Sequence, residues 1–439
     1  MTKINKLTFY ITVFLCFFIP FREFISLYTT SFIKFLPDLI IWGFTAFVII
    51  KNKFKLNFKL YDWFFIGFII AGLIATLING TSLLAFALQV RSIGTMYVFF
   101  YLLRNTEFNE KQIDFIKNTL MIVLSAIILL ALLEYFTDKF LFPEAWRLSI
   151  KYSSNYARVY SLMNNPNSFA FFSYIVMLLV YFFNKNQNRL IHYIFYTFVF
   201  LGILLSASRS TFIAIAFLFI LLIFETLKGK DFKPLLKMGV SLALTVILMF
   251  AATPLKSLIL DVTGGFGVSF SESDTDKNET QNKNNIAFLD RFNELSGNSI
   301  LQNSSSDGRI FVILKGIEIF MDHPVFGTGF GTYGSAGSQM VTPALYEEYG
   351  LYENLYSDNE YIKVFVETGL LGTLIYIAFI LLLFKNCIKN RYKLISILAF
   401  LFIGMFYNVF EMQSICFILY FILSYADRLL PNPINKKEV

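Results

Sequence analysis

The sequence predicts an all-α polytopic membrane protein, and three observations carry that prediction. Of 439 residues, 56% are hydrophobic and only 15% are charged, against roughly 25% charged in a soluble domain. Apolar runs of membrane-spanning length, roughly 17–25 residues, recur about twelve times. The basic residues gather in alternate connections, as they do in cytoplasmic loops. The net charge of +7 therefore marks orientation and is not a sign of nucleic-acid binding.

The first run, 7–24, follows Lys3 and Lys6 with no small-residue cleavage site behind it, so a retained anchor is expected. Runs 31–50 and 62–79 flank Lys51, Lys53, Lys55 and Lys59, and runs 83–103 and 115–136 flank Arg104 and Lys111. Runs 168–183 and 189–206 flank Lys185 and Arg189; runs 210–226 and 236–252 flank Lys228, Lys230, Lys233 and Lys237. Runs 361–384 and 394–409 flank Lys385, Lys389, Arg391 and Lys393, and 412–428 precedes Lys436 and Lys437. The intervening short connections are nearly free of Lys. Both termini are therefore expected on the cytoplasmic side, and the long segments 137–167 and 253–360 outside. The chain divides into an N-terminal bundle of about nine spans (1–252), one large extracytoplasmic loop (253–360) and about three C-terminal spans (361–439).

Within the large loop, "SESDTDKNETQNKNN" (271–285) is polar and of low complexity. "GRIFVILKGIEIFMDHP" (308–324) predicts a helix, with Ile310, Leu314, Ile317 and Met321 on one stripe and Pro324 as its stop. "FGTGFGTYGSAG" (326–337) is a glycine loop, and "ALYEEYGLYENLYSDNEY" (344–361) predicts a short acidic, Tyr-rich helix leading into the tenth span. No internal repeat is evident, which counts against an inverted-repeat transporter.

Several familiar chemistries are disfavoured. The glycine loop follows a helix rather than a strand, so a packing turn is expected in place of a nucleotide site. Asp274 and Asp276 have metal-binding spacing but sit in the polar stretch, and His192 and His323 lack partners, so no metal or other cofactor is expected. Cys16, Cys387 and Cys416 show no paired spacing, which argues against disulfides and zinc.

The arginines say more. Topology places Arg91, Arg158 and Arg209, with the loop residues Arg291 and Arg309, at the outer membrane face. Each alone could equally be an interfacial anchor. Together they suggest a site for a multiply charged anion at the lipid surface, because the guanidinium fork binds phosphate oxygens bidentately and stays ionised. A lipid pyrophosphate is the natural candidate.

Four segments in this order, "RVYSLMNNPNSFA", "SASRSTF", "SDGRIFVILKGIEIFMDHPVFGTGFGTY" and "DNEYIKVFVETGLLG", resemble the motifs of the Wzy-type O-antigen polymerase and O-antigen ligase superfamily. The resemblance covers about the C-terminal two-thirds of the chain. It implies a GT-C-like membrane glycosyltransferase in the bacterial cytoplasmic membrane, and the lack of a His/carboxylate cluster outside Asp274 and Asp276 predicts that it needs no metal. Such an enzyme acts at the outer face on undecaprenyl-pyrophosphate-linked glycans and can have a chain-length regulator protein as partner. Ligases of this superfamily carry a His-Asn/Ser/Gln pair, nine residues, then Gly-x-x-Gly/Thr/Tyr. Here Asn359 is followed by nine residues, Gly369 and Gly372, but the His position is Asp358. That departure favours an O-antigen- or capsule-type polymerase over a ligase; a lipid-linked-sugar transporter and a non-catalytic scaffold are the other readings.

Making a glycosidic bond from a sugar pyrophosphate needs preorganised cations for the leaving group, a base for the acceptor hydroxyl and alignment of both substrates. Arg91, Arg158, Arg209 and Arg309 suit the first role, and Arg291 joins them as a substrate-binding candidate. Asp358 suits the second, with Glu360 or Glu367 as substitutes. Asn359, Tyr352, Tyr356 and Tyr361 suit sugar contacts. A continuous tenth helix would put Glu367 on about the same face as Asp358 and Tyr361; Glu367 is equally suited to pairing with an arginine.

Overall fold

The computed structural model describes residues 3–51, 53, 55–150, 158–163, 165–183, 190–229, 232–262 and 308–429, among which it is helical with no strand. The helices are α1 (Lys3–Tyr28), α2 (Leu36–Lys51), α3 (Leu60–Ile78), α4 (Leu83–Arg104), α5 (Glu110–Phe136), α6 (Glu144–Ile150), α7 (Pro166–Phe183), α8 (Leu190–Leu205), α9 (Arg209–Gly229) and α10 (Lys233–Val262). They continue with α11 (Arg309–Asp322), α12 (Leu345–Glu348), α13 (Glu360–Cys387), α14 (Arg391–Ile403) and α15 (Gln413–Tyr425), with short 3-10 turns between some of them.

Each of the twelve expected apolar runs falls on a helix, and eight of these helices are long and apolar enough to cross a membrane. The expectation of twelve full spans narrows accordingly. The helix α8 and the apolar stretch Arg209–Phe224 of α9 are shorter. The helices α14 and α15 have 13 residues each, about 20 Å at 1.5 Å per residue, less than the roughly 30 Å hydrocarbon core. The helix α10 runs to Val262, past the expected boundary at 252, and carries Pro254 inside it.

The chain forms two compact units. One comprises Met1–Thr12, Phe35–Ile113 and Asn298–Val439; the other comprises Val13–Lys34 and Asp114–Gly297. In the first, α3 packs along α13 and α4 along α15. Aromatic pairs fill these contacts: Phe65 stacks on Tyr97 at 3.8 Å and Phe100 on Tyr420 at 4.8 Å. Asp62 locks α3 to α4, accepting from Arg104 Nη1 at 2.7 Å and from the Tyr97 hydroxyl at 2.6 Å. In the second unit α7 is buried on all sides from Phe169 to Phe183, as expected of a helix that is apolar all round. It packs against α8 and α9.

The helix at 309–322 forms as its periodicity predicts, but its expected stripe points outward. Leu314, Ile317 and Met321 are exposed, and the packed face is Val312, Gly316 and Ile319. Gly316 permits that contact: a Cβ there would meet the Ile362 side chain at 2.5 Å. Close approach through a small residue is the usual means of helix packing where apolar surface alone gives no preference between neighbour and lipid. The Tyr-rich helix expected over 344–361 is reduced to the single turn α12. Gly350, with φ +64°, turns the chain away, and Tyr346, Leu351 and Leu355 enter a cluster with Val312 and Ile319 of α11.

Candidate functional site

The first unit joins two of the sequence motifs by an exchange of backbone hydrogen bonds. The helix α13 breaks at Gly369, whose φ of +58° and ψ of −162° lie in a region essentially restricted to glycine. In an unbroken helix, the carbonyls of Val366 and Glu367 would accept from the N–H groups four residues on, at Leu370 and Leu371. Instead they accept from Thr328 N (3.0 Å) and Gly329 N (2.9 Å) of the glycine loop. The N–H groups of Leu370 and Leu371 donate to the carbonyls of Pro324 (2.8 Å) and Val325 (3.1 Å). Two helical bonds are thus replaced by four between "VETGLLG" and "HPVFGTG". Gly327 and Gly369 meet backbone to backbone: a Cβ on Gly327 would lie 2.4 Å from Gly369 N. The glycine loop is a packing device of the membrane domain.

Glu367 completes the joint. Its side chain is buried, and Oε1 accepts from the backbone N–H groups of Gly331 (3.0 Å), Thr332 (3.0 Å) and Tyr333 (3.1 Å). The face expected to align Glu367 with Asp358 and Tyr361 does not reach Asp358: the helix begins only at Glu360, and Asp358 sits before it at φ +47°. Glu367 holds the glycine loop.

At the opposite end of this first arm, the structure brings Asp358 and Arg309 together. Arg309 is the first residue of α11, and its Nη2 lies 3.5 Å from Asp358 Oδ2, with the two side chains 36% and 30% exposed. Asp358 has φ +47°, a left-handed conformation that Asp tolerates better than most residues. The turn it makes leaves the helix cap to its neighbour. Asn359 Oδ1 accepts from Tyr361 N (3.0 Å) and Ile362 N (3.1 Å), while Nδ2 donates to the Met405 carbonyl (3.1 Å). The Tyr361 hydroxyl donates to the Leu401 carbonyl. Asn359 and Tyr361 thus fix the arm that carries Asp358. Tyr356 packs against Tyr407 at 5.3 Å, while Tyr352 is exposed.

The arm is anchored from beneath by charges that sequence reasoning only partly found. Lys363, 2% exposed, donates to Glu411 Oε1 (2.7 Å) and pairs with Glu360 Oε1 (3.0 Å). Glu411 also accepts from Gln89 Nε2 (2.8 Å) and Ala336 N (2.9 Å), and Glu360 Oε2 accepts from Phe410 N (3.3 Å). Glu360, expected as a substitute base, is a buried member of this network. The signal was present in the sequence: Glu360, Lys363 and Glu367 recur at helical spacing on one stripe of an otherwise apolar segment. Charge on such a stripe implies partners.

The break at Gly369 also makes a cavity. Asn359, Tyr361 and Phe365 from the first arm line the same apolar space of about 440 Å³ as Thr373, Ile377 and Leu381 from the second, with Ile313 of α11. A straight helix would separate residues 359 and 381 by about 33 Å.

Arg91, of the same unit, lies on Asp38 (2.8 Å) and over the Phe35 ring (4.5 Å), and Gln413 Nε2 donates to the other oxygen of Asp38 (2.9 Å).

In the second unit, "RVYSLMNNPNSFA" meets "SASRST" at Asn167. Arg158 donates from Nε to the Ser206 carbonyl (2.9 Å) and from Nη2 to Asn167 Oδ1 (3.1 Å), which also accepts from Ser208 Oγ (2.9 Å). Arg209 follows directly as the first residue of α9. Buried Glu134 accepts from Tyr160 N (3.0 Å) and Ser161 N (2.5 Å), and Lys139 donates both to Glu134 and to the Arg158 carbonyl. The Tyr160–Ser161 loop and the glycine loop are thus each held by a buried carboxylate, Glu134 and Glu367. Arg291, Asp274 and Asp276 lie outside the described residues.

No curated protein and no solved structure matches the chain. Residues 194–377 match a family model described as O-antigen ligase, a stretch that contains Arg209, Arg309, Asp358, Asn359 and Glu367. That match, with the apolar helices and the two interlocked motifs, supports the resemblance to the O-antigen polymerase and ligase superfamily.

Proposed function

We propose that the chain is a polysaccharide polymerase of GT-C type. In this reading it transfers a growing glycan from undecaprenyl pyrophosphate to a lipid-linked repeat unit at the outer face of the bacterial cytoplasmic membrane, with both termini inside. The observation that carries the reading is the pairing of Asp358 with Arg309 at 3.5 Å, both partly exposed, at the head of a rigidly held helix arm. The acceptor hydroxyl attacks the anomeric carbon and passes its proton to the Asp358 carboxylate. The bond from that carbon to the pyrophosphate oxygen breaks, and its electron pair leaves with the pyrophosphate. Arg309 stabilises the charge that develops there. Fixed donors of this kind act without reorganisation at the moment of reaction. The apolar cavity opening beside Asn359 suits the hydrocarbon of a lipid carrier. No metal ion has a part in this scheme.

The test is to incubate purified protein in lipid vesicles with lipid-linked repeat units and resolve the products by size. A ladder of longer glycans is expected, and Asp358→Asn should abolish it. The family description and the intact Asn359, Gly369 and Gly372 frame favour a second reading, glycan ligation to a different acceptor lipid. In that case the same protein gives one transferred product and no ladder.

A further inference from the structure

A second cavity in the first unit is more polar than the apolar one. It measures about 330 Å³ and lies between the α3–α4 turn, the glycine loop and the segment 341–348. Four hydroxyls and one amide line part of its wall, Asn79, Thr81 and Ser82 from the turn and Thr328 and Thr332 from the glycine loop, beside apolar Val341, Pro343 and Leu345. Most of these polar groups are already bound within the protein. The Asn79 amide donates to the Ala75 and Gly327 carbonyls (both 2.8 Å), and the Thr328 and Thr332 hydroxyls bond each other at 2.6 Å. The wall is therefore fixed before any ligand arrives, which lowers the cost of binding.

Three further side chains line the same space with capacity to spare. His323, Thr342 and Glu348 make no side-chain hydrogen bond or ion pair among the described residues. Thr342 and Glu348 are exposed. The segment carrying Glu348 is tied to α11 by the Tyr349 hydroxyl, which donates to Asp322 Oδ2 at 2.7 Å. Burial and the Asp322 carboxylate push that phenol up to about 12, so it remains a donor at any physiological pH.

The lining selects a ligand class. No Lys or Arg lines the cavity among the described residues, and Glu348 contributes a negative charge, so a phosphate or pyrophosphate is disfavoured. The mixed lining, hydroxyls and Glu348 beside Val341, Pro343 and Leu345, suits a ligand with both polar edges and apolar faces better than a hydrocarbon chain. A neutral, polyhydroxylated ligand satisfies both conditions, since sugar hydroxyls can donate to Glu348 and accept from His323 and Thr342. The α11 helix relates this cavity to the Arg309–Asp358 pair: Arg309 opens the helix and His323 follows its end, about 20 Å apart at 1.5 Å per residue. That separation is bridged by a glycan of several rings.

We propose that this cavity is a saccharide subsite, which holds rings of a glycan substrate remote from the bond being made. The identification of that glycan with the enzyme's substrate rests on the function proposed above; the binding of saccharide does not. Binding energy collected from remote rings can be used to align the reacting ones.

The experiment separates the two. The probe is the lipid-free oligosaccharide released by mild acid from the lipid-linked glycans of the producing cell. It is titrated into detergent-purified full-length protein and followed by saturation-transfer NMR, with inorganic pyrophosphate as competitor. The wild type should bind the oligosaccharide, and pyrophosphate should not displace it. Glu348→Gln should weaken binding by roughly tenfold, as one charged hydrogen-bond partner is lost. Thr342→Trp, at an exposed position, should abolish it by filling the space. Absence of binding to the wild type, unchanged affinity in both variants, or displacement by pyrophosphate would each overturn the proposal. Binding that behaves as expected in a protein that elongates nothing would retain the subsite and remove the polymerase reading.

Discussion

Lys363→Met tests the claim that buried charge fixes the arm that carries Asp358. Lys363 is the only cation in contact with Glu360 and Glu411 among the described residues, at 3.0 and 2.7 Å, and all three side chains are under 5% exposed. Surface screening does not apply at such burial. Removing one partner of a buried pair costs about 3–5 kcal/mol, because the remaining charge is left uncompensated. Here each carboxylate keeps other donors: Gln89 and Ala336 for Glu411, Phe410 N for Glu360. The expected loss is therefore near the lower bound, about 3 kcal/mol. Glu411→Gln alone leaves the Lys363–Glu360 pair intact and should cost less, about 1–2 kcal/mol. Combined, the two substitutions should cost less than their sum, since the second removes a charge that the first orphaned. The assay is unfolding of the detergent-purified protein by denaturant, followed by circular dichroism, across the four members of the cycle. A Lys363→Met variant within about 0.5 kcal/mol of the wild type, the range of ordinary surface substitutions, would refute the reasoning, as would strictly additive costs.

The remaining expectations concern the arm and its charges. Gly369→Ala should destabilise by more than the roughly 1–3 kcal/mol of backbone strain alone, because its Cβ would also lie 2.5 Å from Gly327 N; a thermal midpoint equal to the wild type would contradict this. Asp358→Asn should lower the elongation rate by roughly 10²–10⁴-fold with no loss of stability, whereas Asn359→Ala should cost about 1 kcal/mol as a lost N-cap. An active Asp358→Asn protein would move the base elsewhere. Arg309→Ala and Arg209→Ala should each abolish product in a folded, inserted protein, with Lys restoring only part of the rate for want of the bidentate fork; full activity in either Ala variant would remove that arginine from the site. Elongation should persist in excess chelator, and a loss reversed by added divalent metal would overturn the metal-free scheme.

Sequence alone determined the helices, because helix formation and membrane partitioning depend on local composition and period. The twelve apolar runs and the 308–324 segment all became helices for that reason, and Pro324 ended the last of them. Sequence could not say which face of α11 packs. Its apolar stripe and its packed face differ, and Gly316 matters only through the position of Ile362, 46 positions along the chain. Nor could it show that "HPVFGTG" and "VETGLLG" exchange hydrogen bonds, since local pattern reads residues 360–387 as one continuous helix. The carboxylates separated for the same reason. Asp358, Glu360 and Glu367 are alike as residue types within ten positions, and only long-range partners distinguish them. Arg309 meets Asp358 where water reaches; Lys363 and Phe410 enclose Glu360; three backbone N–H groups of the glycine loop take Glu367. Charge type is a property of the residue, whereas exposure and partner come from the tertiary fold, and those two decide which of the three carboxylates is reached by water.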